Sequence, residues 1–321
     1  MNKVYIIAEI GINHEGIFDD CIRLIDEAIN AGANAVKLQT IDPDKNYVKE
    51  SPSYKLFKKS QLTKSQTKKI FRYAQKKNID VFTTCGDVET ANWVNKLNPS
   101  AWKISSGLLN HLEIIKHIAN FKRKMIISTG MAHLDDVKKA ISVIKSTGNN
   151  DIVILQCTSE YPTKKENVNL KNIKFFKKKF KLAVGYSDHS LGHEAAFLSV
   201  AAGAKYIEKH ITLNKRRKDY DHRISLEGYE FKKFVNKIRL AEILIGNMEY
   251  GVSKNLNKVR SNFLRTIVSL KKIKINEKFT KKNIGVKRPT LSKIGLEPAQ
   301  INNFYGKKSN RNIKKDDIVL F

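Results

Sequence analysis

The stretch VYIIAEIGINHEGIFDDCIRLIDEAINAGANAVKLQT, residues 4–40, contains the repeating unit of the chain. It starts with a β-prone apolar run (4–11), continues with a helix-periodic segment that carries a glycine stop (18–33), and closes with a second β-prone run (35–40). Apolar residues at helical spacing between two short apolar runs indicate a strand–helix–strand unit. A crossover of that length joins parallel strands, whereas antiparallel strands need only a tight turn.

The same strand-then-helix order recurs along residues 1–246. The further predicted strands cover 80–85, 101–106, 125–130, 152–159, 181–189 and 206–212. Eight such units in this length match a closed (β/α)8 TIM barrel, and a doubly wound open sheet is the structural alternative. We predict an α/β fold with a barrel over 1–246, because polar residues cluster at the carboxyl ends of the strands, where barrel active sites lie.

The pattern changes after Gly246. We predict a linker over 247–262 and a small β-rich domain over 263–321. Two similar segments in this domain, IKINEKF (273–279) and IKKDDIV (313–319), place Asn276 and Asp316 where a tight turn needs a positive φ angle, which these residue types tolerate well.

The net charge of +29 is the most unusual feature of the composition, and it raises the alternative of a nucleic-acid or anionic-membrane partner. The excess lysine is spread along the whole chain without a nucleic-acid module signature, so we expect neither partner. The three cysteines follow no ligand spacing, which favours a reduced, cytoplasmic protein. The N-terminus is a poor signal peptide, and no apolar run approaches the roughly 20 residues of a membrane span.

Polar residues end every predicted strand. They are, in strand order, Glu9; Lys37 and Gln39; Thr84; Lys103 and Ser106; Ser128; Ser159; Ser187 and His189; and Glu208 and His210. A buried lysine is costly unless it is paired with an anion. Two lysines among hydroxyl groups therefore predict a pocket for a small, multiply charged anion that carries phosphate. The alternative is that either lysine forms a structural salt bridge with Glu9 or Glu208.

His189 and His210 end neighbouring predicted strands. Two imidazoles at adjacent strand ends can share a metal ion and leave positions open for water and substrate. The alternative is that each is an ordinary core or surface histidine. His222 is a third candidate on a loop. We assign Asn13, His14 and Glu15 to loop structure and the substrate rim rather than to the metal.

Seven motifs, each weak alone, together resemble one enzyme family. They are AEIGINHEG (8–16), AVKLQT (35–40), KISSG (103–107), ISTGM (127–131), CTSEYP (157–162), GYSDHSLG (185–192) and EKHITL (208–213). In this order they resemble the bacterial sialic acid (N-acetylneuraminate) synthases, including the legionaminate and pseudaminate synthases. The segment 266–289 resembles the antifreeze-like (SAF) domain that ends those enzymes.

The resemblance implies condensation of phosphoenolpyruvate (PEP) with an open-chain N-acyl amino sugar to a nine-carbon keto acid, with release of phosphate. It implies Glu9, His189 and His210 as catalytic residues, and the two histidines as ligands of a divalent metal, manganese with magnesium or cobalt as alternatives. The implied PEP-binding residues are Lys37, Gln39, Thr84, Lys103, Ser106, Ser128 and Ser187. The implied sugar-binding residues are Ser159, Tyr161, Asp221 and Arg288, the last from the partner subunit of a domain-swapped homodimer.

The chain departs from the family pattern at several points. Ser159 stands where synthases that use N-acetylmannosamine often have asparagine, which favours the acceptors of the legionaminate and pseudaminate branches. Asp219 and Tyr220 stand where Gly-Pro is usual, which leaves the shape of that loop open. Two rival functions are another PEP-dependent synthase of the octulosonate phosphate type and a basic, non-catalytic nucleic-acid or glycan binder.

Overall fold

The computed structural model describes residues 3–247, 250–289 and 295–320. Residues 290–294 and 321 of the predicted second domain, and 1–2 of the first, lie outside these ranges. The chain divides into two compact units, Met1–Gly246 and Asn247–Phe321. The range predicted as a linker, 247–262, belongs to the second unit and contains most of a helix.

The first unit is built on a closed parallel barrel. Within the described residues its strands are β1 (Tyr5–Gly11), β2 (Ala35–Gln39), β3 (Asp80–Thr84), β4 (Trp102–Ile104), β5 (Met125–Ser128), β6 (Ile152–Gln156), β7 (Ala183–Asp188) and β8 (Tyr206–Thr212). They pair in chain order, and β8 closes the ring by pairing with β1. The predicted barrel is therefore confirmed, and the open sheet is excluded. A two-residue strand, β9 (Leu226–Glu227), adds to the end of β8.

Helices cover the outside of the barrel. They are α1 (Phe18–Ala31), α4 (Lys64–Lys76), α5 (Val88–Asn95), α6 (Leu112–Ala119), α7 (Leu134–Ser146), α8 (Lys171–Phe180), α9 (Glu194–Ala201) and α10 (Gly228–Ile245). Two short helices, α2 (Pro43–Asn46) and α3 (Pro52–Ser60), form an excursion between β2 and α4. Each long helix turns an apolar stripe toward the strands, as Leu24, Ile25 and Ala28 do in α1. Among the described helices, none has the length and apolar character of a membrane span.

The barrel interior changes character along its axis. At the amino end of the strands a separate apolar cluster fills it: Ile7, Ala35, Phe82, Ala101, Ile126, Val153 and Leu155. Side chains two apart on a strand share a face, so Glu9 follows Ile7 into the interior, one layer higher. The apolar cluster therefore forms a floor beneath a layer of polar side chains.

A β-bulge shapes the end of β1. Glu9 pairs with Lys37, but Gly11 pairs with the very next residue of β2, Leu38, so β1 has one extra residue here. Gly11 has a φ of +54°, and a Cβ at this position would lie 3.0 Å from Glu9 Oε1. Glycine therefore permits both the left-handed backbone and the close approach of the carboxylate.

The second unit is small and has its own core. It contains α11 (Lys254–Phe263), the antiparallel pair β10 (Thr266–Ser269) and β11 (Ile284–Lys287), and a 3-10 segment, Pro298–Asn303. Ile273 and Ile313 form an isolated bridge between the two similar segments, and the φ angles of Asn276 and Asp316 are 68° and 66°. The positive φ expected at both positions is confirmed.

Candidate active site

Four charged side chains from four strands form a layer above the apolar floor. Lys37 Nζ lies 2.5 Å from Glu9 Oε2, and Lys103 Nζ lies 2.6 and 2.9 Å from the two carboxylate oxygens of Glu208. Lys37 is also 3.9 Å from Glu208 Oε2. None of the four residues is more than 3% exposed. Salt bridges to Glu9 and Glu208 were the alternative to an anion-binding role for the two lysines, and the structure contains both salt bridges.

The charges of this layer are balanced, which makes their burial tolerable. Burial raises the pKa of Glu9 to about 7, although Lys37 opposes the shift. Burial acts in the same direction on Glu208, but Lys103 and Lys37 hold the pKa of that carboxyl well below its usual range. Burial lowers the pKa of Lys103, with Glu208 opposing. Glu9 is therefore a member of the layer that can exchange a proton near neutral pH.

Hydroxyl and amide groups surround the charged layer. Ser187 Oγ donates to Glu208 at 2.8 Å, and Gln39 Nε2 donates to Glu9 at 3.3 Å. The Thr84 and Ser128 hydroxyls are buried without a hydrogen-bond partner among the described residues. Buried hydroxyls without partners are uncommon in folded proteins, and here they stand beside two lysines. The structure thus brings together the residues predicted for an anion site.

Ser106 and Ser159 lie at the edge of the same site. Their hydroxyl oxygens are 2.9 Å apart. A Cβ on Gly130 would lie 2.3 Å from Ser159 Oγ and 2.4 Å from Ser106 Oγ, so only glycine fits between the two loops. The residue expected to bind PEP and the residue expected to bind the sugar therefore contact each other.

His189 and His210 face each other, with ring centroids 5.5 Å apart. His189 Nδ1 donates to the Thr158 carbonyl oxygen at 2.9 Å, which leaves its Nε2 without a proton. Tyr161 stacks on His189 at 4.2 Å. His210 Nδ1 is buried without a hydrogen bond and lies 3.7 Å from Asp221 Oδ2.

This pair fits a metal ion. Burial lowers the pKa of His189 to about 4 and that of His210 well below its usual value, so both rings are neutral, as metal ligands must be. The unpartnered His210 nitrogen is the kind of group that a metal would satisfy. In 3–247, 250–289 and 295–320 no cluster of three or more candidate ligands occurs, so the protein offers two imidazoles and leaves other positions to water or substrate.

His222 was a third metal candidate on the basis of sequence, but the structure gives it another role. Its Nδ1 lies 2.7 Å from the Thr212 hydroxyl, and its Nε2 lies 3.2 Å from Glu15 Oε1. Glu15 also pairs with Arg217 at 2.9 Å. His222 is thus part of a network that ties the loop after β8 to the loop after β1.

Asn13 completes this tie, and sequence reasoning assigned it only to loop structure. Its Nδ2 donates to the Ile211 carbonyl oxygen and to Ser225 Oγ, both at 2.9 Å. Its Oδ1 accepts from the Asp221 backbone N–H at 3.2 Å, and Ser225 Oγ donates to the Asp221 carbonyl oxygen at 2.6 Å. We call Asn13, Asp221 and Ser225 the Asn13 clamp; it fixes the backbone of Asp221 beside His210.

Residues 219–220, where the sequence departs from the Gly-Pro of the similar enzymes, have an unusual backbone conformation. Asp219 and Tyr220 have φ angles of 65° and 52°, a left-handed conformation that costs energy for residues with a Cβ. Proline cannot adopt such an angle at 220, so this loop differs in backbone from one with Gly-Pro. The clamp holds the residue that follows directly.

Arg288 lies in the second unit. It is exposed, and its guanidinium carbon lies 5.0 Å from the centre of the Phe263 ring, a cation–π distance. Its expected contact with the acceptor in a partner subunit stays a prediction.

Comparison with known proteins gives a consistent family for the chain. Residues 24–250 match the family described as the NeuB family. The chain is 35% identical to the pseudaminic acid synthase of Campylobacter jejuni, over 99% of this chain and 95% of that protein. It is 34% identical to the N,N'-diacetyllegionaminic acid synthase of the same organism, over 99% of both.

A solved structure gives the same result. The N-acetylneuraminic acid synthetase of Leptospira borgpetersenii, in complex with citrate, matches with a TM-score of 0.77 at 31% identity, over 80% of this chain and 90% of that one. All three of these relatives are named as enzymes that make related sugar acids, so the rival reading as a non-catalytic binder is not favoured.

Proposed function

The chain belongs to the NeuB family, and on that premise we propose that it condenses PEP with an open-chain N-acyl amino sugar. The products are a nine-carbon 2-keto-3-deoxy sugar acid and phosphate. The acceptor is N-acetylmannosamine or a 2,4-diacetamido-trideoxyhexose. The relatives named as pseudaminic and diacetyllegionaminic acid synthases support the second. The observation that carries the proposal is the buried layer of Glu9, Lys37, Lys103 and Glu208 beneath two facing imidazoles.

PEP occupies the space above the charged layer in this proposal. Its phosphate and carboxylate accept hydrogen bonds from Lys37 and Lys103, for which charge-assisted bonds are the strongest available. The unpartnered hydroxyls of Thr84 and Ser128 donate to the same anion. Ser106 and Ser187 lie in the same ring of hydroxyls, and Gln39 orients the carboxylate of Glu9 by donating to it.

The acceptor aldehyde lies on the side of β7 and β8. His189 and His210 would hold a divalent metal, manganese by family resemblance, and when bound it would supply Lewis-acid polarisation of a carbonyl oxygen. Asp221, held by the Asn13 clamp, and Tyr161 face the hydroxyl groups of the sugar. Ser159, in contact with Ser106, lies where the two substrates meet.

The bond changes follow from these positions. C3 of PEP forms a bond to the aldehyde carbon, the aldehyde oxygen takes a proton from solvent, and C2 is left with a positive charge. Water adds to C2 and loses one proton to Glu9. The C–O bond to phosphate then breaks, and the C2 hydroxyl loses its proton to the departing phosphate to leave the keto group. A carboxylate with a pKa near neutrality suits both tasks, because it stabilises the cation and then accepts the proton.

The proposal extends to the assembly. It includes a homodimer in which Arg288 of one subunit reaches the N-acyl group of the acceptor in the other, and an SAF identity for the second unit. Both rest on the family resemblance, as does the choice of manganese. A cytoplasmic location stays a prediction from the cysteine usage.

Mass spectrometry of the products tests the function. The protein is incubated with PEP, Mn²⁺ and a panel of N-acyl hexosamines, each with and without a terminal phosphate. A phosphorylated, non-acylated sugar is included in the panel, and phosphate release is followed in parallel. We expect a nonulosonic acid only from unphosphorylated N-acyl sugars. Product from a phosphorylated, non-acylated sugar would favour the octulosonate phosphate type. Absence of product from every acceptor contradicts the proposal.

A further inference from the structure

A cavity of about 380 Å³ lies beside the charged layer. It is enclosed by the ends of β1 and β2, the α2–α3 excursion, the start of α4, and α5. Gln39 belongs to both spaces, because its side chain lines this cavity and its amide donates to Glu9 at 3.3 Å. The cavity is therefore adjacent to the reacting centre, and nothing in the mechanism above uses it.

His14 supplies a buried donor to this cavity. The residue is 2% exposed and lines the cavity wall. Its Nδ1 accepts a hydrogen bond from the Gly16 backbone N–H at 3.0 Å, and burial lowers its pKa to about 4, so the neutral ring carries its proton on Nε2. Because Nδ1 is used by Gly16, Nε2–H is the donor that the ring can offer to a ligand in the cavity.

The opposite wall offers aromatic surface. Trp93 and Phe57 line it. Lys45 is engaged by Glu89 at 2.5 Å and by a second carboxylate at 3.6 Å, and Lys64 lies over the Trp93 ring at 5.4 Å. An aromatic face beside a neutral donor suits the C–H, hydroxyl and acyl groups of a sugar.

The span from the strand of His210 to the strand of Gln39 can be compared with the length of a sugar chain. Glu9 lies opposite His210 on one side and opposite Lys37 on the other, and neighbouring strands are about 4.8 Å apart. The span from the His210 strand to the strand of Gln39 is therefore roughly 10 Å. Five C–C bonds of about 1.5 Å each, with the end substituents, are enough to bridge it.

We propose that this cavity binds the distal end of the acceptor sugar, with His14 donating to a hydroxyl or acyl oxygen and Trp93 packing on the carbon chain. The inference rests on the proposed function and adds to it a subsite that selects the acceptor. It assigns a role to the histidine of the first loop, which sequence reasoning placed only on the substrate rim.

Two variants test the subsite. His14→Asn keeps an acceptor for the Gly16 N–H and removes the Nε2 donor, and Trp93→Leu removes the aromatic face. Loss of one neutral hydrogen bond or one aromatic contact should raise the KM for the six-carbon acceptor roughly threefold to tenfold. The KM for PEP should stay within about twofold, because PEP lies on the lysine side. Lys68→Ala is the control, because Lys68 is exposed on helix α4, whose first turn lines the cavity; it should change neither KM.

A truncated acceptor separates this effect from damage to the reacting centre. The four-carbon analogue keeps the aldehyde and the N-acyl group and lacks the last two carbons. Wild type should bind it more weakly than the full acceptor, and neither variant should weaken it further. The inference is overturned if both variants bind the full acceptor like wild type, if the truncated acceptor is affected equally, or if the KM for PEP rises in parallel. A wild-type protein without condensation activity would instead contradict the proposed function.

Discussion

Glu208 is the residue whose replacement tests the charged layer most directly. Glutamine keeps the size of the side chain but removes the anion that holds Lys103 at 2.6 and 2.9 Å. The two side chains are only 3% and 4% exposed, so water does not replace the lost carboxylate. Removing one partner of such a buried pair costs about 3–5 kcal/mol, and we expect Glu208→Gln to lose that amount of unfolding free energy.

Thermal unfolding followed by circular dichroism measures the loss. At 2–4 °C per kcal/mol for a domain of this length, the midpoint should fall by about 6–20 °C. Asp44→Asn breaks an exposed pair of the same 2.6 Å length with Lys58 and should leave the midpoint unchanged. The double variant Lys103→Met/Glu208→Gln should recover part of the loss, because no buried charge is left alone. A Glu208→Gln midpoint equal to wild type, or a double variant as poor as the sum of the single ones, refutes this reasoning.

Three further variants address the rest of the site. Glu9→Gln should fold but lose turnover by a factor on the order of 10²–10⁴ in a phosphate-release assay; near-normal turnover excludes a catalytic role. Asn13→Leu should cost about 1–3 kcal/mol for each buried backbone group left unpaired, seen in urea unfolding, and should raise the KM for the sugar but not for PEP because Asp221 is released; an unchanged sugar KM contradicts the clamp. The His14 pKa falls from 6.5 to about 4 on folding. The contribution of the neutral ring to the free energy of unfolding is therefore fully present above pH 6.5 and is lost as the pH falls toward 4. Wild type should therefore lose up to about 3 kcal/mol more than His14→Asn between pH 7 and 4, and parallel pH curves contradict this.

The barrel could be predicted because its signals are local. Each strand and helix carries its own periodicity, and the count of eight together with the spacing leaves few topologies. The site was predictable to the same extent, because residues at the carboxyl ends of barrel strands converge on one face. This reasoning brought Lys37, Lys103 and both histidines together without any knowledge of their contacts.

The pairing inside the site depends on register, which the sequence does not contain. Glu9 could be paired with either lysine until the structure set it opposite Lys37, and Glu208 entered only as an alternative partner. The Asn13 clamp joins residues 208 positions apart in the chain. A single asparagine in a polar loop gives no signal of such a contact.

Alternation along β7 and β8 places the direct neighbours of the two histidines on the other face of the strands. Lys209 precedes His210 directly, and Asp188 precedes His189. Their side chains form an ion pair at 3.1 Å that is completely buried. Because successive side chains on a strand point to opposite faces, this pair lies behind the imidazoles and ties the two strands together. The sequence shows six polar residues at these strand ends, and alternation places Asp188 and Lys209 on the face opposite the other four, but it does not show that these two form a buried ion pair.

The pairing of lysines with carboxylates in the charged layer also affects how tightly an anion is bound. Two unpaired ammonium groups in the barrel would repel each other and be driven toward their neutral forms by burial. The carboxylates of Glu9 and Glu208 oppose this effect of burial and favour the charged form of the two lysines. An incoming anion must compete with these carboxylates for Lys37 and Lys103, so its affinity is lower than bare lysines would give. It gains selectivity in return, because only a ligand that also reaches the unpartnered Thr84 and Ser128 hydroxyls recovers what that competition costs.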